Sequence, residues 1–115
     1  MSIKQMLGMV FTQVYNDKDE ILVFRNDDFT FQFLHHQDCC EDVHIESIVG
    51  DLQDLVGSPI LLADISSNDN EHDYEEWTFY KFATRKGYVD VRWIGSSNGY
   101  YSTSVSLNVI NHKLN

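Results

Sequence analysis

Three apolar-rich segments in the first third of the chain are typical of strands, namely Met9–Tyr15, Glu20–Arg25 and Phe29–His35. In the last of them, apolar and polar residues alternate with a period of two. Such a period is typical of β-strands, because successive side chains of a strand point to opposite faces. Turn-forming residues separate the segments at Asn16–Asp19 and Asn26–Asp28. We therefore predict an antiparallel meander of three strands.

The period changes over Val43–Val56, where apolar residues from Ile45 onward recur at spacings of three and four. That spacing predicts a helix, or two short helical turns, which Gly50 interrupts and Gly57–Pro59 ends. A single helical turn is also expected near the N-terminus, over Ile3–Leu7.

Two segments connect the predicted helix to the C-terminal part of the chain. Ile60–Ile65 is apolar enough for a strand, which Pro59 permits if it lies at the strand's start. The polar stretch Ser66–Glu76 is predicted to be a surface loop.

The run Trp77–Ser102 combines aromatic and β-branched residues with turn signals at Lys86-Gly87 and Ser97-Asn98-Gly99. We predict a three-stranded antiparallel meander over residues 77–108. Alternation in its first hairpin places apolar side chains on one face, namely Tyr80, Phe82, Val89, Val91 and Trp93. Aromatic and ionic side chains share the opposite face, namely Trp77, Phe79, Lys81, Asp90 and Arg92. The apolar face is expected in the core, with Val91 and Trp93 buried.

Together these elements predict an α+β fold, a curved antiparallel sheet of six to seven strands with one short helical segment packed on one side. The 115 residues, of which 43% are hydrophobic, suit one folded domain over residues 1–115. No apolar run approaches the ~20 residues that span a bilayer. The N-terminus lacks the apolar stretch of a signal peptide, so we expect a cytoplasmic protein without membrane association.

The aromatic and ionic face predicts a ligand-binding site. Its candidate residues are Trp77, Phe79, Lys81, Arg92, Asn98, Tyr100 and Tyr101. The rings offer stacking surfaces, the two cations suit a phosphate or carboxylate, and the turn at Asn98 offers backbone N–H groups. Aromatic stacking beside a guanidinium is a common way to hold a nucleotide-like ligand.

A structural interpretation of the same face is also open. In it, Lys81 pairs across the strands with Asp90, and Arg92 lies on the ring of Phe79. The face would then be covered by the helix or by a partner subunit.

The segment His35–His44 contains every common type of transition-metal ligand within ten residues. Its spacing matches no standard zinc site, and the adjacent Cys39 and Cys40 of an extended segment would point in opposite directions. We therefore predict no metal, no cofactor and no catalytic residue, because the acidic neighbours also oppose formation of a reactive thiolate. The cysteines are expected to be structural and reduced, with Asp38 capping a turn and Glu41 in the capping-box position.

Eight basic and eighteen acidic residues give a formal net charge of −10. A surface of this charge repels phosphate backbones, which argues against direct nucleic-acid binding. The same charge suits an inhibitor that imitates nucleic acid, although many proteins carry such charge for solubility alone.

Three motifs follow one another along the chain: Asp38-Cys39-Cys40-Glu41, the segment GDLQDLVGSPI over Gly50–Ile60, and the run Trp77–Ser102. In this order they resemble a family of small, mostly bacteriophage-encoded proteins of unknown function. The resemblance spans roughly residues 3–107 and implies phage origin and one compact domain. It implies no reaction, and Ser66–Glu76 resembles the family's variable loop.

These observations predict a binding protein rather than an enzyme. The first hypothesis is a phage counter-defence protein of the host cytoplasm that neutralises a host immune component, preferably by sequestering a nucleotide-like signalling molecule. The alternative is an acidic, nucleic-acid-mimicking inhibitor of a host defence nuclease, of the anti-CRISPR or anti-restriction type. A second alternative is a small metal-binding protein or enzyme centred on His35–His44. The oligomeric state is left open, with a homo-oligomer among the alternatives.

Overall fold

The computed structural model describes residues 2–70, 75–99 and 101–114, and this part of the chain is mainly β-structure. It contains eight strands: β1 (Gln13–Asp17), β2 (Ile21–Arg25), β3 (Phe29–Leu34), β4 (Asp42–Val49), β5 (Leu62–Asn70), β6 (Glu75–Thr84), β7 (Gly87–Ser96) and β8 (Ser106–Asn111). Three short 3-10 helices are formed by Ile3–Met6, Leu52–Leu55 and His112–Leu114. No helix among the described residues is long and apolar enough to cross a bilayer.

The strands form two four-stranded antiparallel sheets, ordered β1-β2-β3-β8 and β4-β7-β6-β5. The ring of Phe24 lies 4.7 Å from that of Phe82, and the ring of Phe33 lies 4.8 Å from that of Tyr80. These contacts join the inner faces of the two sheets into one aromatic core. The predicted antiparallel pairing is therefore confirmed. The predicted α+β class with a single sheet of six to seven strands is wrong, because the strands divide into two sheets and the described residues contain no α-helix.

Strands β1, β2 and β3 form the predicted N-terminal meander. Leu22 pairs with Phe33 and Phe24 pairs with Phe31, and all four side chains are buried. The strict alternation therefore reports the core face correctly, since one face of the meander packs against the second sheet.

The predicted helix over Val43–Val56 is wrong, because strand β4 occupies its first half. A β-bulge adds Glu46 to β4 where it pairs with β7. The extra residue lengthens the spacing between the inward-facing Ile45 and Ile48, which makes a strand resemble a helix in its apolar period.

The second half of the predicted helix is present only as the 3-10 helix Leu52–Leu55. The Asp51 carboxylate caps it by accepting a hydrogen bond of 2.9 Å from the backbone N–H of Gln53. Leu55 is fully buried, and the helix contacts β1 as well as β6 and β7. It therefore bridges the two sheets at one end of the molecule.

Strand β5 follows Pro59, as predicted, but it extends to Asn70, and β6 begins at Glu75. The predicted surface loop Ser66–Glu76 is therefore wrong at both of its ends, and residues 71–74 lie outside the described part of the chain. Polar side chains do not prevent this hairpin, because its ladder is formed by backbone groups.

Strands β6 and β7 form the predicted hairpin, in which Thr84 pairs with Gly87 across a two-residue turn. Its two faces are as predicted: Val91 and Trp93 are each 1% exposed, while the Arg92 side chain points to solvent.

The third strand of the predicted C-terminal meander is wrong. Strand β8 leaves the second sheet and pairs with β3 in the first, where Leu107 is opposite Phe33. Thr103, between β7 and β8, lies close to Gly95, at which a Cβ atom would lie only 2.7 Å from Thr103 Cβ. The missing side chain of Gly95 therefore lets the chain cross from one sheet to the other.

Candidate functional site

The outer face of the second sheet, which points away from the core, carries the candidate residues of β6 and β7. The pairing of the four strands arranges its side chains in cross-strand rows. One row contains Ser66, Phe79, Arg92 and Ser47, and the next contains Asp64, Lys81, Asp90 and Val49. Trp77 precedes Phe79 by two residues and therefore lies on the same face.

Arg92 lies over two aromatic rings of this outer face. The rings of Trp77 and Phe79 are nearly parallel, with centres 6.4 Å apart and planes at 7°. The guanidinium carbon Cζ lies 5.7 Å from each ring centre. A cation within about 6 Å of an aromatic centre is attracted by the ring quadrupole. The rings therefore orient the guanidinium.

Two ion pairs on the outer face are long. Arg92 Nη1 lies 3.8 Å from Glu46 Oε2, and Lys81 Nζ lies 3.8 Å from Asp90 Oδ1. Both distances exceed that of a good charge-assisted hydrogen bond, which is about 2.7–2.9 Å. These side chains are about half exposed, so each pair is solvated and replaceable.

A depression of about 610 Å³ lies on the outer face, a volume that suits a small-molecule ligand. Its described lining comes only from β4, β5, β6 and β7. The contacts of the structural interpretation, Lys81 with Asp90 and Arg92 on Phe79, are therefore confirmed. The prediction that a helix covers this face is wrong for the described residues, because none of the three 3-10 helices contributes to the lining of the depression.

The depression brings together three of the seven candidate residues, Phe79, Lys81 and Arg92, and Trp77 lies beside them against Arg92. Asn98 and Tyr101 belong to the segment 97–105 and are not in its lining. Tyr100 lies outside the described residues.

Sequence reasoning missed the residues that β4 and β5 add to this face, namely Glu46, Ser47, Asp64 and Ser66. The sequence pattern predicts a helix where β4 lies and a surface loop that begins at Ser66. The only available signal was alternation: continued beyond Ile60–Ile65, it places Asp64 and Ser66 on one face.

A second cluster of polar side chains surrounds His35. Its Nε2 lies 2.8 Å from Glu41 Oε2, and its Nδ1 lies 2.7 Å from the Ser104 carbonyl oxygen. Each ring nitrogen therefore lies within hydrogen-bond distance of an oxygen atom. The His35 and Glu41 side chains are buried. Through its two ring nitrogens, His35 therefore joins the end of β3 both to the turn before β4 and to Ser104.

The Glu41 carboxylate is held in its ionised form. Burial raises its pKa, but hydrogen bonds from the backbone N–H of Cys39, from the His35 ring and from the backbone N–H groups of Glu41 and Asp38 lower it to about 2. The Asp38 N–H lies 3.0 Å from Glu41 Oε2, which is the backbone half of the predicted capping box. No helix follows Asp38, so this carboxylate organises a tight turn instead.

The adjacent Cys39 and Cys40 are joined by a disulfide, so the prediction of reduced thiols is wrong for this structure. Across residues 2–70, 75–99 and 101–114, no group of three or more His, Cys, Asp or Glu side chains is placed to hold a metal ion. His35 and Glu41 contact each other, so both are already engaged within the segment His35–His44.

The comparison with known proteins identifies a family without identifying an activity. The model of a family described as a domain of unknown function, DUF7448, matches residues 4–107. No curated protein and no solved structure is detectably similar to the chain.

Proposed function

The chain belongs to DUF7448, a family whose function is unknown, and from that premise we propose a function based on its geometry. We propose that the protein is a non-enzymatic phage counter-defence protein of the host cytoplasm. It sequesters a nucleotide-like signalling molecule of the host in the depression on the outer face of the second sheet. The resemblance to a mostly bacteriophage-encoded family supports the counter-defence setting.

The observation that carries this proposal is the depression beside Arg92. In it an oriented guanidinium, a second cation at Lys81 and the aromatic surface of Phe79 lie within one concave volume of about 610 Å³. A base can stack on the rings, and its phosphate can replace the loosely held Glu46 as the partner of Arg92. Such a charge-assisted contact contributes roughly 1.5–3 kcal/mol, more than an exposed ion pair.

The ionisable side chains of the depression favour binding over catalysis. Lys81 is paired with Asp90, and Asp64 is paired with Lys4 of the first 3-10 helix. The described lining of the depression contains neither histidine nor cysteine, the side chains that most often act as general base or thiol nucleophile. These paired groups suit recognition of a charged ligand instead.

The proposal is tested by recovering the ligand. Purified protein is mixed with small-molecule extracts of phage-infected and uninfected bacteria, separated by gel filtration and denatured, and the released compounds are identified by mass spectrometry. We expect a phosphate-bearing compound to be released from the wild type and lost from Arg92→Ala. The matched control is Arg85→Ala, which removes an exposed arginine from the turn between β6 and β7. Release of the same compounds from all three proteins would contradict the proposal.

A second candidate function is the acidic inhibitor of a host defence nuclease. The backbone N–H of Ile45 donates to the Asp19 carbonyl oxygen at 2.7 Å and so docks the turn between β1 and β2 against β4. Glu20 and Asp42 then line one shared depression, where their charges add. Salt-sensitive capture of a host nuclease that Glu20→Gln with Asp42→Asn abolishes would favour this function over the first.

A further inference from the structure

We infer that the depression on the outer face selects ligands carrying two adjacent hydrogen-bond donors besides their anionic group, and that Asp90 reads those donors. This inference rests on the proposed function, because it concerns the ligand of the same site. It follows from how charge is divided between the two cross-strand rows.

The two rows differ in charge. Phe79 and Arg92 are flanked by serines, whereas Lys81 lies between Asp64 and Asp90. A phosphate placed at Lys81 would face two carboxylates and be repelled by them. The anionic group is therefore favoured at Arg92, roughly 7 Å along the strand from Asp90.

The two carboxylates differ in their hydrogen bonding. Asp64 accepts a hydrogen bond from Lys4, while Asp90 lies 3.8 Å from Lys81 Nζ, beyond hydrogen-bond distance. Both line the depression. Asp90 is therefore the carboxylate more available to a ligand.

An ionised carboxylate has two oxygens and only accepts hydrogen bonds, so it matches two donors that lie side by side. Guanine presents such a pair in its N1–H and N2–H groups, and a ribose presents one in its 2′- and 3′-hydroxyls. Adenine presents a donor beside an acceptor, and that acceptor faces the carboxylate unfavourably. The guanine edge and the ribose diol both present two adjacent hydrogen-bond donors, so the nucleotides used in the experiment must distinguish one from the other.

The experiment measures binding of GMP, AMP and 2′,3′-dideoxy-GMP by titration calorimetry to the wild type, Asp90→Asn and a control. Asp17→Asn is the matched control, because it neutralises an exposed aspartate of β1 outside this depression. If the base edge is read, GMP and dideoxy-GMP bind the wild type about tenfold or more tightly than AMP. If the diol is read, GMP and AMP both bind about tenfold or more tightly than dideoxy-GMP.

In either case Asp90→Asn should remove the preference, while Asp17→Asn should keep it. Equal affinities of the wild type for all three probes would overturn the inference and leave the proposed function standing. A preference that persists in Asp90→Asn would overturn the role of Asp90 in the same way. If none of a wider set of mono-, cyclic and cyclic di-nucleotides binds the wild type, the proposed function fails, and the inference fails with it.

Discussion

The buried ring of His35 and the carboxylate of Glu41 are hydrogen-bonded, with 2.8 Å between Nε2 and Oε2. The pair lies where β3 of the first sheet is followed by the turn into β4 of the second. The carboxylate also accepts the Cys39 N–H at 2.8 Å, so several donors converge on one buried anion. Such a group makes the stability of the fold depend on pH in a definite direction.

The first prediction concerns acid unfolding. The pKa of Glu41 falls from its ordinary 4.5 to about 2 in the folded protein. A depressed pKa means that the carboxylate stabilises the fold fully above pH 4.5 and that this contribution is lost as the pH falls toward 2. The free energy of unfolding of the wild type should therefore exceed that of Glu41→Gln above pH 4.5, with the gap closing below it.

Urea denaturation at several pH values between 7 and 2 measures this gap. Asp42→Asn provides the control, because its carboxylate is largely exposed and should change stability little at any pH. A gap between wild type and Glu41→Gln that stays constant over this range would show that the Glu41 charge is not linked to folding.

The second prediction concerns the crossing between the sheets. In Gly95→Ala the new Cβ would lie 2.7 Å from Thr103 Cβ and 2.8 Å from the Thr103 carbonyl oxygen. Overpacking of this kind costs about 1–3 kcal/mol, so the variant should melt several degrees below the wild type. Ser96→Ala, at the exposed neighbouring position, should melt close to the wild type. Equal melting temperatures for both variants would mean that the crossing is looser than the structure indicates.

The third prediction separates recognition from stability on the outer face. Arg92→Ala should lower the free energy of unfolding by about 0–1 kcal/mol, because its ion pair with Glu46 is solvated. It should nevertheless abolish ligand binding. Trp77→Ala should weaken binding by about 1–3 kcal/mol if the ligand carries a base that stacks there.

Melting curves and protection of phage growth against host defence measure the two effects side by side. If Arg92→Ala melts several degrees below the wild type and its loss of phage protection is no larger than the loss of folded protein explains, the arginine is structural, and the site lies elsewhere.

The fourth prediction concerns the β-bulge. Deleting Glu46 removes the extra residue of β4 and restores a spacing of two between the inward-facing Ile45 and Ile48. The core contacts of β4 are kept, so the deletion should fold and cost only about 1 kcal/mol, chiefly through the lost partner of Arg92. Circular dichroism measures whether the variant folds, and thermal melting measures how much stability it loses. Deleting Ile45 instead removes a core side chain and should unfold the protein, so similar behaviour of the two deletions would argue against the bulge.

How far the fold can be predicted from the sequence depends on whether a strand is regular. In β7, unbroken alternation places Trp93 in the core and Arg92 in solvent, and the structure agrees. In β4, a single inserted residue at Glu46 breaks the alternation, and the pattern then resembles a helix. Local periodicity cannot reveal a bulge, because the bulge is defined by the partner strand.

The partner of β8 was also beyond local reasoning. Its pairing with β3 joins residues far apart in sequence, such as Phe33 and Leu107, and no turn signal records that choice. The candidate site shows the same limit. Phe79, Lys81 and Arg92 belong to one hairpin, so local alternation predicts that they share a face. Asp64 belongs to a different strand, whose pairing with β6 the local pattern does not predict.

The late arrival of β8 has a consequence for how the chain acquires its structure during synthesis. Until residues 106–111 leave the ribosome, β3 is an open sheet edge beside the apolar side chains of Phe31 and Phe33. The pairing spans more than half of the chain, and such long loops slow folding. Ribosome-bound and C-terminally truncated chains should therefore be the aggregation-prone species. Pairing of β8 with β3 then removes the exposed sheet edge.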